Sequence, residues 1–210
     1  QLNMENMNRV TINGMNQLYY SLSKLEYLNH LHLTFRHWWT IHASITNLEQ
    51  TLSKLRGLKE LHLELIDSWC LKDEEMIHFS QILSRCTSLT QFSIKHDHGL
   101  TDRGITTLSG ALSLLFHLTY LKFDFIGCTE ISDTALSKIS TAISRMPELS
   151  HFELHFKSCP HITDNGISQI SHAISQKTKI NTLVLEFGDC VNITDKGFSQ
   201  LCKSFSSLPC

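Results

Sequence analysis

Three histidines and two glutamates in the N-terminal half have the side chains that bind zinc. His30 and His32 are two residues apart, so they share one face of an extended strand. Glu60, His62 and Glu64 repeat the same alternation in a later segment. Zinc needs three or four donors that converge to about 2.0–2.2 Å, whereas side chains on a flat sheet splay apart. We therefore expect exposed polar side chains here and no metal site.

Catalytic motifs are missing from the sequence. It contains no Gly-rich phosphate loop, no GxSxG nucleophile elbow and no HExxH zinc motif. Serine, histidine and aspartate are abundant, but the repeat described below accounts for most of them. The open surface of a repeat protein also lacks the water-excluding pocket that catalysis needs. We expect no catalytic residue, no cofactor and no enzyme activity.

Cys128, Cys159 and Cys190 recur at a spacing of 31 residues. The chain has seven cysteines and no CxxC pair, which fits neither a disulfide framework nor a zinc ribbon. We expect the three recurring cysteines to form a column of buried thiols that pack as small apolar side chains. Free thiols are typical of a reducing compartment, so we expect a cytoplasmic protein.

Charge and hydropathy exclude several classes of partner. The chain has 210 residues and a net charge of −2, with 41% hydrophobic and 18% charged residues, which is the composition of a folded protein. A nearly neutral chain has no general attraction for nucleic acid or anionic lipid. Its apolar runs are too short to span a bilayer. We therefore expect protein partners, no nucleic acid and no membrane insertion.

All of these residues belong to a sequence repeat. A serine recurs at spacings of 30, 31, 29, 31, 31 and 31 residues, at Ser23, Ser53, Ser84, Ser113, Ser144, Ser175 and Ser206. Five residues after each of the first six, an apolar residue opens the pattern L-x-x-L-x-L-x-F, at Leu28, Leu58, Leu89, Leu118, Leu149 and Ile180. Its period of two predicts a short strand with one buried face.

A pattern with helical period fills the second half of each repeat. In the segment 162–175, Ile167, Ile170 and Ile174 follow each other at i, i+3 and i+7. A hydroxyl residue and then an aspartate precede the helical pattern, which predicts an N-cap and a negative charge at the helix start. These pairs are Thr101-Asp102, Ser132-Asp133, Thr163-Asp164 and Thr194-Asp195. The same register places Asn13-Gly14 and Asn165-Gly166 in the first helical turn instead of in hairpins, and we expect the small residue to permit close approach of helix to sheet.

This alternation of strand and helix resembles the leucine-rich repeat family over the whole chain. The unit length and the C-x-x-ITDxG segment at 159–166 resemble its ribonuclease-inhibitor-like and cysteine-containing subclasses, the latter familiar from F-box proteins. The resemblance implies an α/β solenoid, or horseshoe, of about seven repeats of 29–31 residues, with a parallel β-sheet on the concave face and α-helices on the convex face. Where the family has Asn or Cys after the core motif, this chain has Phe, as at Phe125, which predicts longer strands.

The repeats divide the chain without a linker. We expect one array over residues 1–210, with a partial repeat at 1–27 and repeats starting near residues 28, 58, 89, 118, 149 and 180. The register extends to both termini, since Leu2 aligns with Leu154 and a further strand would open one residue after Cys210. Terminal repeats need polar caps. We therefore expect an array that is truncated at both ends.

The third, fifth and seventh positions of each strand pattern are predicted to face outward on the concave sheet surface, where solenoids usually bind. Corresponding positions of adjacent strands lie about 4.8 Å apart. The seventh-position row alternates in charge, which predicts a ladder that fixes the register, a recognition surface for a polar partner, or both. The candidate partner-binding residues are His30, His32, Glu60, His62, Glu64, Lys95, Tyr120, Lys122, Asp124, His151, Glu153, His155 and Glu186.

Three tryptophans depart from the repeat pattern. Trp38, Trp39 and Trp69 lie in the loops after two neighbouring strands, where they cover the edge of the core or anchor a partner. The sequence as a whole predicts a non-catalytic scaffold that binds partner protein through the concave face or within a larger assembly. The alternative is a regulatory subunit, such as the substrate-recognition arm of a ubiquitin ligase or a GTPase activator, as the resemblance to related solenoids implies.

Overall fold

The computed structural model describes residues 2–5, 11–36, 42–66, 72–206 and 208. In this part of the chain, strands and helices alternate throughout. The strands are β1 (Leu2–Glu5), β2 (His30–Arg36), β3 (Glu60–Ile66), β4 (Gln91–Asp97), β5 (Tyr120–Ile126), β6 (His151–Lys157) and β7 (Thr182–Glu186). The helices are α1 (Ile12–Leu22), α2 (His42–Lys54), α3 (Asp73–Leu83), α4 (Asp102–Leu112), α5 (Asp133–Ser144), α6 (Asp164–Ser175) and α7 (Asp195–Phe205).

The strands form one parallel sheet in the order β1 to β7, so each strand pairs with the same element of the neighbouring repeats. Leu121 pairs with Phe152, and Leu2 pairs with Leu33, as the repeat alignment predicts. Consecutive helices pack against each other in the same order. The protein is therefore an α/β solenoid of the leucine-rich-repeat type. The continuation of the array past either terminus stays a prediction.

The core lies between the sheet and the helices. The apolar positions of the strand pattern point into it: Leu118, Leu121, Phe123 and Phe125 are all fully buried. The Phe125 ring stacks on Phe156 of the next repeat, with 5.6 Å between centroids. Burying one such side chain contributes about 1.5–3 kcal/mol, so this column binds each repeat to the next. Strands β2 to β6 extend one residue past this phenylalanine position, consistent with the longer strands predicted.

The N-caps of α4 to α7 are each tied to the preceding repeat by an aspartate. The hydroxyl of Ser132 accepts a hydrogen bond from the Thr134 N–H, so it caps α5 as predicted. Asp102 reaches across from α4: its Oδ1 accepts from the backbone N–H groups of Ser132 (2.8 Å) and Ala135 (3.2 Å), and its Oδ2 accepts from the Ser132 hydroxyl (2.5 Å). The corresponding bonds recur between other repeats. We call the four residues that make them the aspartate ladder: Asp73, Asp102, Asp133 and Asp164.

A small residue is needed in the first helical turn because of the neighbouring helix, and not because of the sheet as expected. A Cβ added to Gly166 would overlap Asp133 Oδ1 and the Leu136 side chain, both of the preceding helix. The close approach is therefore between helices, and the prediction of an approach to the sheet is wrong. Ala135 occupies the equivalent position, and its N–H lies 3.2 Å from the ladder carboxylate, against 3.0 Å for Gly104 and Asp73.

The three recurring cysteines form the predicted buried column. Cys128 and Cys159 are fully buried and Cys190 is 6% exposed, and all three are free thiols. Burial raises the pKa of the Cys128 thiol to about 11 and that of Cys159 to about 12. These thiols stay protonated at neutral pH and are poor nucleophiles, which is typical of structural cysteines.

Among the described helices, none has the length and apolar character needed to cross a membrane.

Candidate protein-binding surface

The strand register places the candidate residues on one face of the sheet. In the third-position row, His30 pairs with Glu60 and Tyr120 with His151. In the fifth-position row, His32 pairs with His62 and Lys122 with Glu153. The seventh-position row runs from Thr34 to Glu186. The register therefore aligns these candidate residues in rows across neighbouring strands. Their role in binding stays a prediction.

Glu153 lies at the centre of a hydrogen-bonded cluster on β5 and β6. Its carboxylate accepts from His151 Nε2 (2.7 Å), Lys122 Nζ (2.9 Å), His155 Nε2 (3.2 Å) and the Tyr120 hydroxyl (3.4 Å). Burial alone would raise the pKa of Glu153, but the hydrogen bonds from His151, Lys122 and His155 outweigh it and lower the pKa to about 2. Glu153 is therefore ionised at any physiological pH. We call these five residues the Glu153 cluster.

His155 lies between two carboxylates. Its Nδ1 is 2.8 Å from Glu186 Oε2, and its Nε2 is 3.2 Å from Glu153 Oε2. Each ring nitrogen of His155 therefore faces a different carboxylate, one on its own strand and one on the next. The hydrogen bond from His155, more than the opposing effect of burial, lowers the pKa of Glu186. This arrangement links the cluster to the edge strand β7.

A row of aromatic rings crosses the concave face and includes two members of the cluster, Tyr120 and His151. The Tyr120 ring stacks on His151, with 4.5 Å between centroids and 28° between planes, and meets His62 edge to face at 6.0 Å. His62 in turn lies 5.6 Å from the His32 ring. Burial and then the Glu153 charge raise the pKa of Tyr120 to about 12, so its hydroxyl stays a donor. Such flat side chains provide contact area while losing little conformational entropy.

The seventh-position row is partly a structural ladder. Lys95 Nζ lies 3.1 Å from Asp124 Oδ2, and only 7% of the Asp124 surface is exposed. Thr34, at the head of this row, is also buried. These contacts support the reading of the row as a register-fixing ladder. Asp124 is therefore mainly available to Lys95, whereas Glu64 and Glu186 remain accessible to a partner.

The histidines that could bind zinc point to separate partners. His30 Nδ1 lies 2.5 Å from Glu60, and His32 Nε2 lies 3.8 Å from Glu64. His62 Nδ1 is 2.6 Å from the Ser93 hydroxyl, and burial followed by the His32 charge lowers the pKa of His62. In the described ranges, no three or more His, Cys, Asp or Glu side chains come together in a group that could hold a metal ion. Trp38, Trp39 and Trp69 lie outside the described residues.

Comparison with known proteins adds little to this geometry. No protein-family model matches the chain, and no curated protein matches it. Forty-nine chains of solved structures do match. One is the crystal structure of the Rad7 and Elc1 complex in yeast, with 16% sequence identity and a TM-score of 0.41. The match covers 99% of this chain but only 61% of that one, so this chain spans less than two thirds of its length. The fold assignment therefore rests on the repeat geometry itself.

Proposed function

We propose that this chain is a non-catalytic scaffold that binds a partner protein through the concave face, with the Glu153 cluster at the centre of the contact. The observation that supports this proposal is the arrangement of four polar and aromatic side chains around the Glu153 carboxylate. Lys122, His151 and Tyr120 are each partly exposed, so they can contact a partner without leaving the cluster.

Pre-organisation is the physical reason for placing the contact there. Ordering one flexible side chain at an interface costs roughly 0.5–1.5 kcal/mol. The hydrogen bonds of the Glu153 cluster already order its side chains in the free protein, so binding a partner costs less. Residues that dominate interfaces are also aromatic or cationic and lie near the centre of the contact. The Tyr120–His151 stack with Lys122 beside it has this composition.

The finer assignments belong to the same proposal. We place the chain in the ribonuclease-inhibitor-like or cysteine-containing subclass on its C-x-x-ITDxG segment, and in the cytoplasm on its buried free thiols. The near-neutral charge favours protein over nucleic acid as the partner. The regulatory alternatives, a ubiquitin-ligase arm or a GTPase activator, stay predictions from the resemblance.

The proposal is tested with a double variant of the concave face. Y120S/H151S removes both stacked rings but keeps Glu153 and its Lys122 partner. As a matched control, T134S/K138S changes two exposed residues of α5 on the convex side. Each purified chain is immobilised, and proteins captured from an extract of the source cells are quantified by mass spectrometry.

We expect Y120S/H151S to lose one or more captured proteins by about tenfold, the loss of a single good contact of about 1.4 kcal/mol, while the control retains them. Circular dichroism and urea unfolding establish that both variants are folded. If the folded concave variant captures the same proteins in the same amounts as wild type, the concave face is not the binding surface.

A further inference from the structure

A second surface lies on the edge of the solenoid where helices end and strands begin. Here the first three repeats present five exposed cations, which we call the basic edge: Lys24, Lys54, Arg56, Lys59 and Arg85. In the three turn segments 23–29, 53–59 and 84–90, the single acidic residue is Glu26. The whole chain has a net charge of −2, so this positive edge is a local feature.

Arg56 and Arg85 line one cavity of about 410 Å³ between the ends of α2 and α3. Its floor is apolar, formed by the buried side chains of Leu52, Leu55 and Cys86. Cys86 occupies the repeat position that is a longer side chain in the neighbouring repeats, at Leu55 and Leu115. Its short side chain lines the cavity together with the two arginines.

A neighbouring cavity extends the groove toward the N-terminus. It measures about 480 Å³ and is lined by Tyr27, Lys54 and Arg56, among others. Arg56 therefore borders both cavities. Tyr27 is 92% exposed, so its ring is available to a partner.

Neither arginine has a carboxylate partner among the described residues. Elsewhere on the surface such pairs form readily: Arg103 Nη1 lies 2.8 Å from Glu74, and Lys179, in a later turn of the same type, lies 2.6 Å from Glu148. Cations near a helix C-terminus interact favourably with the negative end of the helix dipole and so stabilise the helix. In the fourth repeat, however, Leu114 stands at the position of Arg85 and Phe116 at that of Thr87. Helix α4 nevertheless ends at the repeat serine, as α3 does. The fold therefore does not require the cations.

The chemistry on either side of the cations indicates what they bind. Leu114 and Phe116 are 45% and 51% exposed and continue the edge past Arg85, while Tyr27 flanks Lys54. A partner that covers this edge needs separate anionic groups and apolar groups in one short segment. Arg56 and Arg85 come from successive repeats, whose helices are about 8–10 Å apart, so two separate carboxylates fit better than one phosphate.

We propose that the basic edge binds an acidic peptide segment of a partner protein, with carboxylates on Arg56 and Arg85 and an apolar side chain beside Phe116. A guanidinium binds a carboxylate through two parallel hydrogen bonds, which an ammonium cannot do. The apolar floor of Leu52, Leu55 and Cys86 reduces the screening of these contacts by water. This surface is separate from the concave face, so the two can bind at the same time.

The probe is a fluorescein-labelled synthetic peptide with a central run of glutamates flanked by leucine and phenylalanine. A second peptide, with glutamines in place of the glutamates, serves as the uncharged control. Binding to the full 210-residue chain is measured by fluorescence anisotropy at low and high salt. We expect the acidic peptide to bind about tenfold or more tightly than the glutamine peptide, and less tightly as salt rises.

The double variant R56Q/R85Q is expected to weaken the acidic peptide by about tenfold, and R56K/R85K to restore part of that loss. R145Q is the matched control, because Arg145 is exposed at the repeat position of Arg85 but lies two repeats away. It should bind as wild type does. Y120S/H151S should also bind as wild type, so failure of this proposal and failure of the concave-face proposal give different results.

Two results would overturn the proposal. One is the absence of an effect of charge: the acidic and glutamine peptides bind equally, or R56Q/R85Q binds the acidic peptide as tightly as wild type does. The other is tighter binding, through the same two arginines, of single-stranded DNA or of phosphatidylserine vesicles, which would make the edge a nucleic-acid or membrane surface. Urea unfolding of R56Q/R85Q checks that the loss is not caused by unfolding.

Discussion

Removing Asp102 of the ladder should destabilise the protein far more than removing Asp195, whose side chain bonds to no other described residue. Asp102 on α4 accepts three hydrogen bonds from the start of α5, two from backbone N–H groups and one from the Ser132 hydroxyl. Asp195 on α7 occupies the same repeat position, but its side chain makes no hydrogen bond to another described residue. The variants D102A and D195A therefore differ in the bonds between repeats and not in helix position.

The size of the difference follows from these contacts. Both substitutions remove a negative charge from the first turn of a helix, which costs about 0.3–1 kcal/mol. D102A also leaves two backbone N–H groups and one hydroxyl without their acceptor, and a hydrogen bond to a charged group contributes about 1.5–3 kcal/mol. Because the site is only partly buried and water replaces some of the bonds, we expect D102A to cost about 2–4 kcal/mol in total.

Urea unfolding followed by circular dichroism measures both variants at neutral pH. D102A should lower the midpoint strongly, and the slope of the transition should also fall if the two halves of the solenoid unfold separately. D102N keeps one acceptor oxygen and should lie between D102A and wild type. If D102A and D195A agree within about 0.5 kcal/mol, the ladder does not hold the repeats together and the reasoning fails.

Two further predictions concern buried titratable groups. Lys177 is 7% exposed and stands where other repeats have Leu115 or Met146. Among the described residues its ammonium group donates only to the Met146 carbonyl, at 2.9 Å, and burial lowers its pKa. Because K177M removes a charge from an apolar site, urea unfolding should show a gain of about 1 kcal/mol, and a loss would contradict this. The Cys128 thiol has a pKa of about 11 when folded against an ordinary 9.0, so the unfolded chain releases its proton first as pH rises. The stability from this thiol is complete below pH 9 and is lost between about pH 9 and 11, so wild type should lose about 1 kcal/mol more than C128A between pH 8 and pH 10. Equal losses would show that the thiol is not shielded from water.

The elements that follow the repeat period could be predicted from the sequence. The serine spacing fixed the register in which Leu121 pairs with Phe152, and the hydroxyl before each aspartate marked the helix starts. Even Asn165-Gly166, a hairpin signal in isolation, lies in α6 as the repeat required. Period determines these features because each repeat can bury its apolar face only against its neighbours.

The contacts between repeats could not be predicted in the same way. The sequence placed Asp102 at a helix start, but the direction of its side chain toward the next repeat depends on the spacing of α4 and α5. One signal was present: a glycine or alanine stands two residues after Asp102, Asp133 and Asp164, where the carboxylate of the preceding helix needs room. The Glu153 cluster and the cavity beside Cys86 depend equally on side-chain directions across strands and helices.

Both proposed surfaces use positions that the fold leaves free to vary. The helices α1 to α5 all end within two residues of the position that follows the repeat serine. That position varies along the chain: it is Lys24, Lys54, Arg85, Leu114 and Arg145 in successive repeats. The outward strand positions vary in the same way while Leu and Phe recur between them. Since core packing does not select the residue at these positions, a run of like residues needs another cause. Lys24, Lys54 and Arg85 are such a run, with Arg56 and Lys59 close by in sequence, and the cause we propose for it is the binding of an anionic partner.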